Sequence, residues 1–175
     1  YGAMKYVAGE SFIMNADACG TKLTTAVYGN VLNSTGSVIP LIWKAISSKM
    51  KVPLYSSSMT RFMISSDQAV DLIDYCLTDC QTGVNVIPIA KSMLIKDVFE
   101  IYSKNFGLEY YECSPRTGEK IHEIMASSEE IRRMKKDERG QVYIMHPKSN
   151  YDTVTFPMNE YSSKDCAVDL IEAEE

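Results

Sequence analysis

The chain has 175 residues, with 18 Lys and Arg against 23 Asp and Glu, a formal net charge of −5. Hydrophobic residues make up 45% and charged residues 23%, a globular composition that excludes a disordered chain. The acidic balance argues against a nucleic-acid binder, which needs a basic face to release counterions. The longest apolar run, Val38–Trp43, contains Pro40 and falls far short of the roughly 20 residues a membrane span requires.

Residues 1–15 read as a helix, with Met4, Val7, Ala8, Ser11 and Phe12 sharing one face at the 3.6 period. Residues 23–28 are β-rich and predict a strand, and Gly29–Gly36 reads as a loop broken by Asn30, Asn33, Ser34 and Gly36. A helix is predicted from Val38 to about Lys49, with Pro40 tolerated in its first turn. Extended pieces follow near 52–55 and 59–64. Ser65 to Gln68 has the form of a capping box, opening a helix that buries Ala69, Leu72, Ile73, Cys76 and Leu77. Val84–Ile89 predicts a strand whose Pro88 places it at a sheet edge or a strand end. Residues 92–104 read as an amphipathic helix closed by Gly107, and Leu108–Cys113 as a strand. Ser114–Lys120 is a loop, and a charged helix is expected at 127–137, where Glu129 and Arg133 are spaced i,i+4. Residues 140–162 are polar with short extended pieces, and a last helix is expected near Ser163. Alternating strands and helices make this an α/β chain, without the G-x-G-x-x-G turn that cradles a pyrophosphate.

The N-terminus has no charged segment leading into an apolar one, so no signal peptide is expected. It begins with Tyr1 rather than Met, which suggests a piece of a longer protein or a processed one. The five cysteines are Cys19, Cys76, Cys80, Cys113 and Cys166, with no C-x-x-C pair. A disulfide framework is therefore not expected, and a reducing, cytoplasmic setting fits. Cys76 and Cys80 lie four apart without a His at ligand spacing, so they read as packing residues and no metal site is expected.

Four segments carry chemistry. The first is Tyr1-Gly2-Ala3-Met4-Lys5, a Y-x-x-x-K pair on one helix face. A tyrosine is a poor base at neutral pH, and a nearby ammonium favours its phenolate. The others are Tyr28-Gly29-Asn30-Val31 running on to Gly36-Ser37-Val38-Ile39-Pro40, Met59-Thr60-Arg61-Phe62, and Arg116-Thr117-Gly118-Glu119-Lys120-Ile121-His122-Glu123. In this order they resemble the extended short-chain dehydrogenase/reductases, and within them the nucleotide-sugar 4,6-dehydratases of polysaccharide biosynthesis. Glu160-Tyr161-Ser162-Ser163 is similar to the E-Y-S-S segment of the inverting UDP-N-acetylglucosamine branch.

The resemblance implies the C-terminal part of an NAD(P)-binding Rossmann fold plus a small α/β substrate-binding domain, without the N-terminal half. Residues 1–50 would end the Rossmann domain, and 51–175 would form mainly the substrate domain and a C-terminal extension, with a return to the Rossmann sheet near 84–104. By the same resemblance Tyr1 is the catalytic acid/base for the sugar 4-hydroxyl. Lys5 holds the nicotinamide ribose and depresses the Tyr1 pKa, and Tyr28 joins the NADP (or NAD) site. Asn30, Gly36, Ser37 and Val38 would line the UDP-sugar site. Arg61 and Arg116 would reach the diphosphate, and Glu119 the nucleotide ribose. Read from the residues alone, Arg61 is equally a surface strand residue, and Arg116 with Glu119 a loop ion pair. His122 is read as structural, and His146 has no functional reading. Val27, Thr117 and Met4 depart from the family pattern, which has Arg, Pro and Thr there. The absent first half would supply the glycine-rich turn and a Thr-Asp-Lys segment.

The implied activity is conversion of UDP-N-acetylglucosamine to a 4-keto-6-deoxy sugar nucleotide, a lyase reaction, by a protein that is a homo-oligomer when complete. A UDP-sugar 4-epimerase of the same superfamily is the alternative. A third is an inactive remnant that binds a UDP-sugar weakly or not at all and exposes strand edges and core surface.

Overall fold

The structure, a computed structural model, describes residues 2–16, 18, 20–146 and 158–168. In chain order the helices are α1 (Gly2–Met14), α2 (Val38–Ser48), α3 (Ser66–Thr78) and α4 (Ile95–Phe106). The strands are β1 (Thr24–Ala26), β2 (Asn30–Val31), β3 (Val52–Leu54), β4 (Thr60–Ile64), β5 (Val84–Pro88), β6 (Ser92–Leu94), β7 (Tyr110–Glu112), β8 (Ile124–Ala126), β9 (Met134–Lys136), β10 (Val142–Met145) and β11 (Tyr161–Ser162). They form two compact units, Tyr1–Tyr28 with Asp67–Ile89 and Met125–Tyr161, and Gly29–Ser66 with Ala90–Ile124 and Ser162–Glu175. The first 50 residues thus contribute to both.

The first unit is built on a four-stranded sheet in the order β1-β5-β10-β9. β1 runs parallel to β5 with Thr24 opposite Val84 and Ala26 opposite Val86, and β10 is antiparallel to both β5 and β9. β5 is central, and four of its five residues are buried, which explains a nearly continuous apolar run. Pro88 sits at its last position, opposite Val142, so of the two expected places for this proline the strand end holds and the edge does not. Leu72, Cys76 and Cys80 pack on Val84, Val86, Val142 and Ile144. The Cys76 thiol is pushed up to about 11 by burial, and burial raises Cys80 as well. Cys76, Cys80, Cys113 and Cys166 are free thiols, and Cys19 lies outside the described residues.

Two helix faces differ from expectation. On α3, Ala69, Leu72 and Cys76 are buried, but Ile73 and Leu77 are 43% and 68% exposed. One narrow stripe meets the sheet, and these two lie a step round the helix from it. On α1, Met4, Val7 and Phe12 are exposed, whereas Ile13 is 2% exposed. The stripe Gly9, Ile13 and Ala16 is the inward one, since a Cβ on Gly9 would stand 3.5 Å from Thr25 Cγ2 in β1.

The charged helix expected at 127–137 does not form. Ser127 N and Oγ both donate to Glu130 Oε2, at 2.8 and 2.7 Å, which closes a single turn. A three-residue 3-10 helix follows, and then β9, whose Met134 is fully buried opposite Met145. Burying Met134 in an antiparallel ladder requires extended backbone, and this overrides the local helical pattern.

The β9–β10 turn is closed by Asp137, whose Oδ1 accepts from the N–H groups of Gln141 at 2.6 Å and Val142 at 3.0 Å. Burial pushes this carboxyl up, but bonds from the Val142, Gln141 and Arg139 N–H groups outweigh it, and its pKa lies below the ordinary carboxylate value. A lowered folded-state pKa contributes stability that is complete above the unfolded value and is lost as pH falls through the folded one. Asp137→Ala is expected to cost about 1–2 kcal/mol at neutral pH. It is also expected to flatten the part of the stability curve below roughly pH 4, measured by urea unfolding across pH 2–7. An unchanged acid limb would refute this role.

In the second unit, β2 pairs parallel with β4 (Asn30 opposite Met63), and β4 antiparallel with β6 (Phe62 opposite Ser92). β3 runs parallel to β7. The core is Ile42, Ala45, Leu54, Met59, Ile95, Val98, Phe99 and Leu108. Residues 30–31, expected in a loop, pair as β2, and 92–94, expected as helix, form β6. Ser92 is fully buried in that ladder, and α4 begins only after it. The expected ends of α2 and α4 are closed by Lys49 and Gly107 with φ of 53° and 71°. The helix expected near Ser163 is a turn followed by a bridge of Ala167 to Ser92. Ser92 N donates to Cys166 O and Val168 N to Ser92 O, both at 2.9 Å, so sheet-like pairing takes the backbone groups a helix would use.

Candidate nucleotide-sugar site

The second unit carries a cleft of about 530 Å³. Its wall begins at β2, which Asn30 opens. It continues through the turn at Gly36 and Ser37, which opens α2 at Val38. Pro40 in the first helical turn and an extended Ser37 fix where α2 starts. Arg61 enters from β4, and Arg116 and Glu119 from the loop after β7. The seven residues Asn30, Gly36, Ser37, Val38, Arg61, Arg116 and Glu119, spread over 90 positions, all line this one cleft. Lys44, Lys51 and Tyr55 line it too, and sequence reading did not single them out. Lys44 carried a weak signal, standing two turns into the helix that the G-S-V segment opens.

The charges are uneven. In a chain of net charge −5, the lining holds Lys44, Lys51, Arg61 and Arg116 against the single carboxylate of Glu119. The N-terminus of α2 adds its partial positive charge there, with no acidic residue in its first turn. Ser37 Oγ is buried and has no hydrogen-bond partner among the described residues, a group that a polar ligand atom would satisfy.

The two arginines do different work. Arg61 is 9% exposed. Its Nη1 donates to the carbonyls of Thr60 at 2.8 Å and Ile121 at 3.1 Å, and Nη2 to Lys120 O at 2.8 Å and Glu119 Oε1 at 3.2 Å. Its Nε stands 3.4 Å from Glu123 Oε1. The guanidinium is engaged in holding the 119–123 loop, so it is not the surface residue that the sequence alone allows, and it also lines the cleft. Arg116 has a 66% exposed side chain, paired to Glu119 Oε2 at 3.3 Å and lying 4.4 Å over the Tyr55 ring. Glu119 therefore bridges both arginines, one through each oxygen.

Beneath the loop is a buried polar network. Thr60 Oγ1 meets His122 Nδ1 at 2.8 Å and Ser163 Oγ at 2.7 Å. Ser163 Oγ accepts from Glu123 N at 2.8 Å, and Ser92 Oγ donates to the Ser163 carbonyl. Thr60 and Ser163 are 3% and 0% exposed, which excludes either as a nucleophile and gives His122 a structural task.

In the first unit, Lys5 is exposed on α1, and Tyr28 is 39% exposed just past β1. Tyr1 lies outside the described residues. Among the described residues no His, Cys, Asp and Glu cluster would hold a metal, and no helix is long and apolar enough to cross a membrane.

Residues 1–147 match the family model described as polysaccharide biosynthesis protein. The chain is similar to the inverting UDP-N-acetylglucosamine 4,6-dehydratase of Campylobacter jejuni, 36% identical over 134 residues, 74% of this chain and 40% of that protein. It is similar to the UDP-glucose 4-epimerase of Rickettsia felis, 35% identical over 127 residues, 70% of this chain and 36% of that protein. Among solved structures, Pen from Bacillus thuringiensis superimposes with a TM-score of 0.83 at 25% identity, over 99% of this chain and 55% of that one. The chain thus spans about 40% of the length of the Campylobacter relative. Its mixed α/β fold corresponds to part of a Rossmann-type short-chain dehydrogenase/reductase. The chain belongs to the polysaccharide biosynthesis protein family, a short-chain-dehydrogenase-like family that includes the nucleotide-sugar dehydratases.

Proposed function

We propose that the cleft of the second unit binds the nucleoside diphosphate of a nucleotide-sugar, and that the protein is a nucleotide-sugar 4,6-dehydratase acting on UDP-N-acetylglucosamine. One observation carries this reading: a cationic cleft in an acidic chain, lined by the residues that match the dehydratase motifs. In it Arg116, Lys44 and the α2 N-terminus hold the diphosphate. Forked guanidinium donors and helix N–H groups suit phosphate oxygens. Ser37 Oγ takes a ligand oxygen, and the Glu119 carboxylate accepts from the nucleotide ribose. Tyr1 and Lys5, the pair that matches the Y-x-x-x-K motif of the family, are the residues assigned to the sugar 4-hydroxyl.

A bound NADP or NAD would supply the hydride acceptor for C4. Tyr1 takes the proton of the 4-hydroxyl, and the Lys5 ammonium favours the phenolate that can accept it. Oxidation at C4 would acidify the C5 proton, water would be lost across C5 and C6, and the C5–C6 double bond would take back the hydride at C6 and a proton at C5, so the net change is the loss of one water. The epimerase reading shares these residues, and the similarity to the Rickettsia enzyme favours keeping it as the rival. The product decides: incubation of the full-length gene product with UDP-N-acetylglucosamine is expected to yield a sugar nucleotide lighter by one water. An isobaric product would establish the epimerase instead. Calorimetric titration of UDP should show Arg116→Ala weakening binding about tenfold or more, the loss of a charge-assisted contact. Equal affinity in wild type and variant would refute the assigned diphosphate contact.

A further inference from the structure

We infer that the C-terminal segment 162–168 is a strap that sets the geometry of the cleft, with Ser163 and Thr60 as positioning residues for Arg116 and Glu119. The inference rests on the nucleotide reading of the cleft given above.

Ser163 is fully buried and uses its polar groups on three other segments, at Glu123, Thr60 and Ser92. Its N–H donates to Glu123 O at 2.8 Å, and its Oγ accepts from Glu123 N at 2.8 Å, so one residue engages both backbone polar groups of Glu123. The same Oγ lies 2.7 Å from Thr60 Oγ1 and 3.2 Å from Thr60 O. The Thr60 hydroxyl lies 2.8 Å from His122 Nδ1, and the Thr60 N–H donates to Ile121 O at 3.0 Å. The bonds to Ile121, His122 and Glu123 pin the distal end of the loop that carries Arg116 and Glu119 into the cleft. Beyond Ser163 the strap is anchored on β6 through the Ser92 pairing with Cys166 and Val168. The loop has little regular structure of its own between β7 and β8, so its register depends on what pins its end. Buried networks fix one arrangement when every member is satisfied, and lose it when one member is removed.

Neither hydroxyl lines the cleft, so their removal should act on substrate affinity through the loop. The loop grips the non-reacting part of the substrate, so its loosening raises KM and leaves kcat nearly unchanged. The test measures UDP affinity and dehydratase kinetics on the full-length gene product well below its Tm. Ser163→Ala and Thr60→Val are each expected to raise the Kd for UDP and the KM about tenfold, with kcat within about twofold. Thr60→Ser, which keeps the hydroxyl, is expected to restore wild-type affinity. Val98→Ala, a cut in the core of the same unit at a residue that does not itself line the cleft, lowers Tm and is expected to leave Kd unchanged. Hydrogen exchange at the amides of residues 116–123 should speed up in the hydroxyl variants. Should Ser163→Ala fail to fold, the Thr60 pair reads the same contact. Unchanged Kd in both hydroxyl variants, or an equal rise in Val98→Ala, overturns the strap while leaving the cleft reading intact. A wild-type protein that binds no UDP overturns the cleft reading and the strap with it.

Discussion

Gly29→Ala is expected to destabilise the protein by about 3 kcal/mol and lower Tm by roughly 6–12 °C. A Cβ at this position would stand 2.5 Å from Phe62 Cβ and 2.7 Å from Phe62 O. Both atoms are anchored to the backbone of β4, so no side-chain rotation relieves the clash. Phe62 is itself fully buried and has no room to retreat. The two strands would have to separate, and the register Asn30 opposite Met63 would shift with them, taking Asn30 from the cleft wall. Gly9→Ala is the matched contrast. Gly9 lies inside α1, and its Cβ would meet Thr25 Cγ2 at an ordinary 3.5 Å. There the gain in helix propensity is about 0.5–1 kcal/mol, so Tm should hold or rise. Thermal unfolding of the two variants side by side checks both, and a Gly29→Ala protein as stable as wild type would show that close strand approach is not why this glycine is there.

The elements that could be read from the sequence are those whose ends carry their own chemistry. Pro40 at the start of α2, Ser65 before α3 and Gly107 after α4 each fixed a boundary through local backbone preference. The errors arose where tertiary contacts outvoted local pattern. Residues 127–137 have helical spacing, but Met134 is needed in the sheet. The face of α1 was misread because an apolar stripe at Met4, Val7 and Phe12 stays exposed, while a stripe of small residues with one isoleucine packs inward. In the site, local motifs pointed to Asn30, Ser37, Arg116 and Glu119 one at a time. What they could not give is the division of labour. The Thr60 hydroxyl meets partners 62 and 103 residues away, and no periodicity encodes such a pairing. A net charge of −5 likewise conceals four cations gathered in one cleft.

Arg61 is where the two readings of the cleft can be separated by experiment. If it were simply a phosphate ligand, Arg61→Ala would weaken UDP binding and leave stability alone. The geometry leads to a different expectation. Removing the guanidinium takes one donor from each of the carbonyls of Thr60, Lys120 and Ile121 and leaves Glu119 and Glu123 without their shared cation. Breaking a buried pair from one side costs about 3–5 kcal/mol. The two carboxylate side chains are 23% and 38% exposed, so water screens part of the loss and the expected cost is about 3 kcal/mol. Arg61→Lys keeps a charge but cannot fork to four acceptors, and about half that loss is expected. Because the pair is largely buried, the cost should change little between low and high salt, whereas the effect of Arg116→Ala on UDP binding should shrink as salt rises. Urea unfolding and UDP titration of both variants at two ionic strengths give the comparison. Arg61→Ala should lose stability and affinity together, because the loop that presents Arg116 and Glu119 is released. Arg116→Ala should lose affinity alone, since its exposed ion pair contributes under about 1 kcal/mol to the fold. Full stability in Arg61→Ala would return this arginine to the diphosphate and remove the clamp from the account of the loop.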